Sequence, residues 1–309
     1  MLTYINMRFF VKWTGYVFMG FLALYLCLVI VGGGWGDKDP LPTTFTSVPL
    51  PLFFAHRGAT LCYPDNSDGA IGDAARFGFP GIELDIQFSA DSNFFIYHDP
   101  SITPPIGMSL HACSLTVNGL RNQRLSFQGK ETNESPPLLA DIVEKYNDQF
   151  LYYFDMKRYG HKNIFQLARD ITAFVNQHSL NDRAIVASAH FWFIIYLEYS
   201  QPDILTALEG FSTNHPWLLS LLPRKFKPDF IASRQATITN GFTEWLRKTG
   251  MQNRYIVYHA NKKTFKPTLE QGVQMFIIDY ESYLDEYLST SDSEGVEFQF
   301  STSHWVSPF

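Results

Sequence analysis

The 309 residues, 46% hydrophobic and 16% aromatic, suffice for one large packed domain or two small ones and exclude a disordered chain. A formal net charge of −6 argues against a nucleic-acid binder, which carries a basic patch to neutralise phosphates. The acidity is concentrated in residues 281 to 309, where Glu281, Asp285, Glu286, Asp292, Glu294 and Glu297 stand without a Lys or Arg.

In chain order, the first element is apolar. Between Lys12 and Asp37 no residue is charged, and the run YVFMGFLALYLCLVIV approaches the ~20 residues that cross a bilayer core. Arg8 and Lys12 precede it, while Asp37 and Asp39 follow it. That asymmetry places the short N-terminus in the cytoplasm and everything after Gly36 on the extracytoplasmic side. The alternative is a cleaved signal peptide ending near Gly32, Gly33 and Gly34, which would leave a secreted or periplasmic protein; the long aromatic run favours a retained anchor. Residues 1–36 are therefore read as the membrane or signal segment. Residues 37–50, rich in Pro, Thr and Ser, read as an extended linker. Export makes a pairing of Cys62 with Cys113 the expectation.

From about Pro51, short apolar runs alternate with amphipathic stretches. The runs are PLFFAH, GIELDIQF, FLYYFDMK, RAIVAS, ILTALEG, DFIAS, RYIVYH and QMFII. Helices are expected over Asp68 to Phe77, Leu138 to Tyr146, Asn163 to His178, Phe191 to Tyr199, Asn240 to Lys248 and Thr268 to Gly272. Eight strands alternating with crossovers predict a (β/α)8 TIM barrel over 51–280, with 281–309 as an acidic tail. A doubly wound open sheet is the runner-up, but no glycine-rich phosphate fingerprint opens its first βα turn. Ser101 to Ser135 lack a helical period and read as a loop insertion over a site, or as disorder.

The polar residues of these runs fall where a barrel places its chemistry. His56 and Arg57 end the first run, and His98-Asp99 close a further apolar stretch. Glu83 and Asp85 are two apart, so a strand points both to one side, and an apolar run has no structural use for two charges there. A hard divalent cation removes the repulsion, with Asp155 as a third oxygen donor. Lys157 shares the side of Asp155 and suits a phosphate oxygen. His161, His178, His190, His215 and His304 stand apart from such clusters and are given no role.

Taken together, Ala55-His56-Arg57-Gly58, Pro64-Asp65-Asn66-Ser67, Glu83-Leu84-Asp85, His98-Asp99, Asp155-Met156-Lys157 and Gly272-Val273-Gln274 leading to Ile278-Asp279 resemble the motif series of the glycerophosphodiester phosphodiesterases. The resemblance spans about Phe53 to Asp279. It implies a TIM-barrel hydrolase that uses one divalent cation, Ca²⁺ or Mg²⁺, held by Glu83, Asp85 and Asp155. It further implies His56 and His98 as the acid–base pair, Arg57 and Lys157 as phosphate ligands, and Asn261 as a match to a polar residue after the seventh strand. The chain departs from the family at Asp65 and Asp155, where Glu is usual, and lacks the arginine that usually follows H-D. These departures bear on substrate more than on reaction. A lysophospholipase D or sphingomyelinase D-like activity on lipid phosphodiesters, or an inactive binding barrel, are the alternatives.

Overall fold

The computed structural model describes residues 2–31, 38–103, 108–157 and 163–279. The expectations for the acidic tail, His161 and His304 lie outside these residues. Eight parallel strands form the barrel: β1 Leu52–His56, β2 Gly81–Phe88, β3 Leu151–Met156, β4 Ala184–Ser188, β5 Leu205–Glu209, β6 Phe230–Arg234, β7 Tyr255–Tyr258 and β8 Met275–Ile278. Neighbours in sequence pair in space, and β1 pairs with both β2 and β8, which closes the sheet and rules out the open doubly wound alternative. Seven of the eight predicted apolar runs contain one of these strands whole, and DFIAS falls one residue short of the end of β6.

Alternation along each strand sorts side chains into two layers. One set fills the barrel interior, where Phe54, Tyr153 and Phe230 interdigitate with the small Ala187, Ala207 and Ala232. The other set, including Ile82, Leu84, Phe154, Val186, Ile231 and Phe276, faces the surrounding helices. Large and small residues alternate inside because eight tilted strands leave only enough room for packed side chains.

Five crossover helices sit where periodicity places them, at Asp68–Arg76, Leu139–Tyr146, Ile164–Gln177, Phe191–Ser200 and Asn240–Thr249. The last helix is Lys262–Glu270 rather than Thr268 to Gly272. Asn261 caps it by accepting from the Lys263 and Thr264 amides, and Thr264 completes a capping box, so the helix starts before Pro267 and runs through it. Asn261 is thereby a helix cap rather than a residue aimed at a site.

Three further segments differ from expectation. Within the insertion, hairpins Ser101–Ile102 with Leu110–His111 and Ser126–Phe127 with Lys130–Glu131 flank a helix, Val117–Arg121. Ile102, Ala112 and Leu120 give it a small core with Phe95, so its described part is ordered. The 37–50 linker carries a turn of helix, Thr43–Thr46, whose Phe45 ring is 2% exposed and joins the barrel's interior cluster, 5.8 Å from Phe230. Cys62 and Cys113 are free thiols, not a bridge. Cys62 is exposed in the turn after β1, whereas Cys113 lines a separate groove of about 980 Å³ beside Phe88 and Phe174.

The helix Leu2–Val31 contains one stretch, Phe10–Cys27, long and apolar enough to cross a membrane, with mean hydropathy 1.4 and none of it buried. Lys38, just beyond, is fastened to the N-terminal end of the barrel. Its ammonium lies 2.9 Å from both Glu198 and Asp229, and Arg254 donates to the Asp39 carbonyl.

Candidate active site

The C-terminal end of the barrel is polar because the interior-facing position at the end of nearly every strand carries a charged or hydroxyl side chain. Following the interior parity of Phe54, Tyr153, Ala207, Ala232, Ile256 and Ile277 outward leads to His56, Asp155, Glu209, Arg234, Tyr258 and Asp279. The register sets His56 beside Glu83 and Asp85 beside Asp155. A cavity of about 210 Å³ is lined by His56, Arg57, Glu83, Asp85, His98, Asp155, Lys157, Glu209, Arg234, Tyr258 and His259. All seven residues singled out from the sequence are among these. The larger groove at Cys113 contains none of them.

The turn after β1 aims Arg57 inward. Arg57 and Gly58 have φ of 54° and 86°, and a Cβ on Gly58 would lie 2.7 Å from the Ala70 carbonyl carbon, so only glycine lets the turn pass this close to the helix Asp68–Arg76. Arg57 Nη1 pairs with Asp65 at 3.1 Å. Its Nε lies 3.1 Å from Asp85 Oδ2 but off the hydrogen-bonding direction, so that contact is ionic. The shorter Asp65 carboxylate therefore still reaches the arginine.

Glu83 and Asp85 are 4% and 1% exposed. Asn66 holds Asp85 twice, donating from its amide to Oδ2 at 2.7 Å and accepting from the Asp85 backbone amide at 3.2 Å. Lys157 lies 2.8 Å from Asp85 Oδ1 and also contacts Asp155. Oxygens of Glu83, Asp85 and Asp155 all lie within 4.8 Å of one another.

The carboxylates do not share one electrostatic fate. Burial pushes the Glu83 carboxyl well above the usual range, and Asp85 and Asp155 push it further. Asp155 is likewise raised by burial, with Lys157 working against the shift. Burial also raises Glu209, to about 8, with Asp155 adding to it; the Tyr153 hydroxyl donates to Glu209 at 2.7 Å. Asp85 is the exception: although buried, it is held below its ordinary value by Lys157 and Arg57. Two cations thus stabilise one carboxylate and leave the cluster short of positive charge. Three converging hard oxygen donors with that deficit fit a divalent cation such as Ca²⁺ or Mg²⁺.

Both histidines are held at one ring nitrogen. His56 Nδ1 is 2.6 Å from Asp279 Oδ1, with Nε2 facing the cluster 4.0 Å from Glu83 Oε2. His98 Nδ1 is 2.8 Å from Asp99 Oδ1. A carboxylate at Nδ1 favours the tautomer protonated there, leaving Nε2 as the atom available for proton transfer. The backbone around His98 is fixed by Gln87, which donates to the Tyr97 and Asp99 carbonyls at 2.6 and 2.8 Å.

Sequence reasoning missed Gln87, Glu209, Arg234, His259 and the pairing of Asp279 with His56. Strand parity was the available signal for Glu209, Arg234 and Asp279. His259 carried none, because it follows β7 in a left-handed conformation (φ 58°) that sets its ring 5.6 Å from that of His56. A second cleft of about 360 Å³ shares Arg57 and His98 with the cavity and is otherwise lined by insertion and loop residues including Tyr97, Ile102, Arg124, Leu125 and Phe127.

Carboxylates flanked by basic residues and two carboxylate-held histidines thus gather at the C-terminal end of a TIM barrel. The profile of the glycerophosphoryl diester phosphodiesterase family matches residues 56–281, and the chain belongs to that family. It is 30% identical over 171 residues to human glycerophosphodiester phosphodiesterase 1, an alignment covering 54% of this chain and 50% of that protein. A glycerophosphodiester phosphodiesterase of Bacillus altitudinis is 26% identical over 165 residues, covering 52% of this chain and 66% of its own. The chain thus spans about half the length of the first of these relatives. Among solved structures, an Oleispira antarctica phosphodiesterase in complex with the product sn-glycerol-3-phosphate superposes with a TM-score of 0.64 at 15% identity, covering 81% of this chain and 99% of the other. A Galdieria sulphuraria protein described as a glycerophosphodiester phosphodiesterase superposes at 0.65 with 16% identity over 78% and 99% of the two chains. At these identities the superpositions establish the fold.

Proposed function

We propose that the chain hydrolyses glycerophosphodiesters to glycerol 3-phosphate and an alcohol, using one divalent cation, Ca²⁺ or Mg²⁺. The observation that carries this reading is the convergence of three carboxylates within 4.8 Å, in a cavity that also holds His56, His98, Arg57 and Lys157. Glu83, Asp85 and Asp155 would hold the cation, which when bound supplies positive charge to the phosphodiester's non-bridging oxygens. Arg57 and Lys157 add to that charge as negative charge builds on the phosphoryl group. One histidine takes the proton of the attacking water, or of the substrate's own adjacent hydroxyl with water then opening the cyclic phosphate, and the other protonates the leaving alkoxide, each through the Nε2 that Asp279 or Asp99 leaves available. Membership of the family and the relatives' shared activity support the reaction class.

A lysophospholipid or sphingolipid is the second reading. The cleft that opens from Arg57 and His98 favours it, because Ile102, Leu125 and Phe127 offer apolar surface beside the phosphate-binding groups. The helix through Phe10–Cys27 would anchor the enzyme with its catalytic part on the extracytoplasmic side, or be removed from a secreted or periplasmic form.

The test is choline release from glycerophosphocholine and from lysophosphatidylcholine by the full-length protein with Ca²⁺, Mg²⁺ or chelator. Metal-dependent release from the first substrate is expected. Release from neither would favour an inactive barrel. Undiminished release in chelator would refute the metal. His56→Ala and His98→Ala are each expected to lower kcat by about 10²- to 10⁴-fold with the fold retained; near-normal turnover in both would remove the acid–base assignment.

A further inference from the structure

Opposite in character to the cavity, one flank of the barrel carries exposed aromatic and aliphatic residues. On the helix Phe191–Ser200, Trp192, Tyr196 and Tyr199 recur at helical spacing along one face, and Trp192 and Tyr199 are 65% and 53% exposed. The stripe continues on both sides. Phe165, 48% exposed, packs edge-on against Tyr196 with ring centres 4.7 Å apart. Tyr199 stacks on Phe226 at 5.8 Å and lies under the Lys225 ammonium at 4.2 Å. The short helix Trp217–Ser220 shortly before Phe226 adds Trp217 and Leu218, 54% and 50% exposed.

This surface adjoins the apolar N-terminal helix. The Tyr25 hydroxyl, near the C-terminal end of the Phe10–Cys27 stretch, donates to the Leu221 carbonyl. We infer that this flank docks on the surface of the phospholipid bilayer that the helix enters, an inference that rests on the anchor reading above. Trp and Tyr with an adjacent Lys are the side chains that settle at the headgroup level, apolar ring inward and polar tip in water. Lys225 over Tyr199 supplies the cation at that depth. The Lys38 contacts to Glu198 and Asp229 limit how far the barrel can swing from the helix's end. Because the residues lie on the outer helices and none lines the cavity or its adjoining cleft, docking leaves the active-site mouth open to substrate.

The experiment uses the full chain with Cys27, Cys62 and Cys113 replaced by Ser, reconstituted into phosphatidylcholine vesicles. Tyr199→Cys and Leu218→Cys are labelled with an environment-sensitive fluorophore and quenched by spin-labelled phosphatidylcholine. Arg76→Cys, on the helix after β1, is the reference; circular dichroism confirms the fold of each variant. Quenching at 199 and 218 is expected to exceed that at 76 by at least about threefold, as shallow insertion requires. Quenching no greater than at 76 overturns the docking face. If such a chain resists carbonate extraction, the anchor stands and only the docking fails; if it is extracted, the anchor reading falls as well. Extraction accompanied by strong quenching before carbonate supports docking and removes the anchor. Weak quenching with a concentration-dependent cross-linked dimer through 199 or 218 assigns the face to a second copy and overturns the proposal.

Discussion

Asn66 fixes Asp85 of the carboxylate cluster from two sides. It is 1% exposed, sits in left-handed backbone at φ 60°, donates to the Asp85 carboxylate and accepts from the Asp85 amide. Asn66→Ala removes a charge-assisted hydrogen bond worth about 1.5–3 kcal/mol and orphans a buried amide at a further ~1 kcal/mol or more. It also places a Cβ-bearing residue without a local polar side chain in left-handed backbone, at about 1 kcal/mol. The expected loss is therefore about 4 kcal/mol, with Arg57 and Lys157 still partnering the carboxylate. Asn66→Gly should recover about 1 kcal/mol of that, since only the backbone contribution is relieved. Asn66→Asp keeps the shape but faces Asp85 with a fourth carboxylate, so it should be destabilised without metal and recover when Ca²⁺ or Mg²⁺ is added. Urea unfolding of the detergent-solubilised chain, followed by near-ultraviolet circular dichroism, measures all three. A loss below about 1 kcal/mol for Asn66→Ala, or no advantage of Gly over Ala, would refute the reasoning.

Other outcomes follow from the charges. Because burial and neighbouring acids raise Glu83, Asp155 and Glu209, the last to about 8, cation binding near pH 7 should release protons and tighten as pH rises; calorimetry in two buffers of different ionisation enthalpy checks this, and buffer-independent heats would contradict it. Glu198 is raised by burial and by Asp229 from 4.5 to about 7, so its contribution to stability is full below pH 4.5 and is lost as pH rises through 7. The loss is at most about 3 kcal/mol, and Glu198→Gln should flatten that slope in melts across pH 4–8. Gln87→Ala should lower kcat by roughly tenfold or more while sparing metal affinity, since it frees the two carbonyls flanking His98 without touching the cation site. Cys62→Ser and Cys113→Ser should leave Tm unchanged with or without reductant, because neither thiol is bridged.

What was legible in the amino-acid order is local. Short apolar runs mark β1 to β8, and the Glu83-Leu84-Asp85 and Asp155-Met156-Lys157 spacings force each pair onto one side of a strand. His56 and His98 are flagged by their places at strand ends. Parity would have extended the list to Glu209, Arg234 and Asp279, but a lone strand-end charge is ambiguous until its neighbours in space are known. The helix before β8 starts earlier than expected because the Asn261–Thr264 capping box sets its N-terminus. Cys62 and Cys113 shared a plausible compartment but not a location.

Closure of the barrel decided the rest. Only the β2–β3 register sets Asp85 beside Asp155, so that Lys157 bridges the two. Only the pairing of β1 with β8 brings the end of the last strand beside the first and gives His56 its Asp279 partner. Contacts between residues more than two hundred positions apart leave no trace in local periodicity. The sequence by itself therefore determined which side chains point inward, and the tertiary structure decided which of those inward groups share a charge.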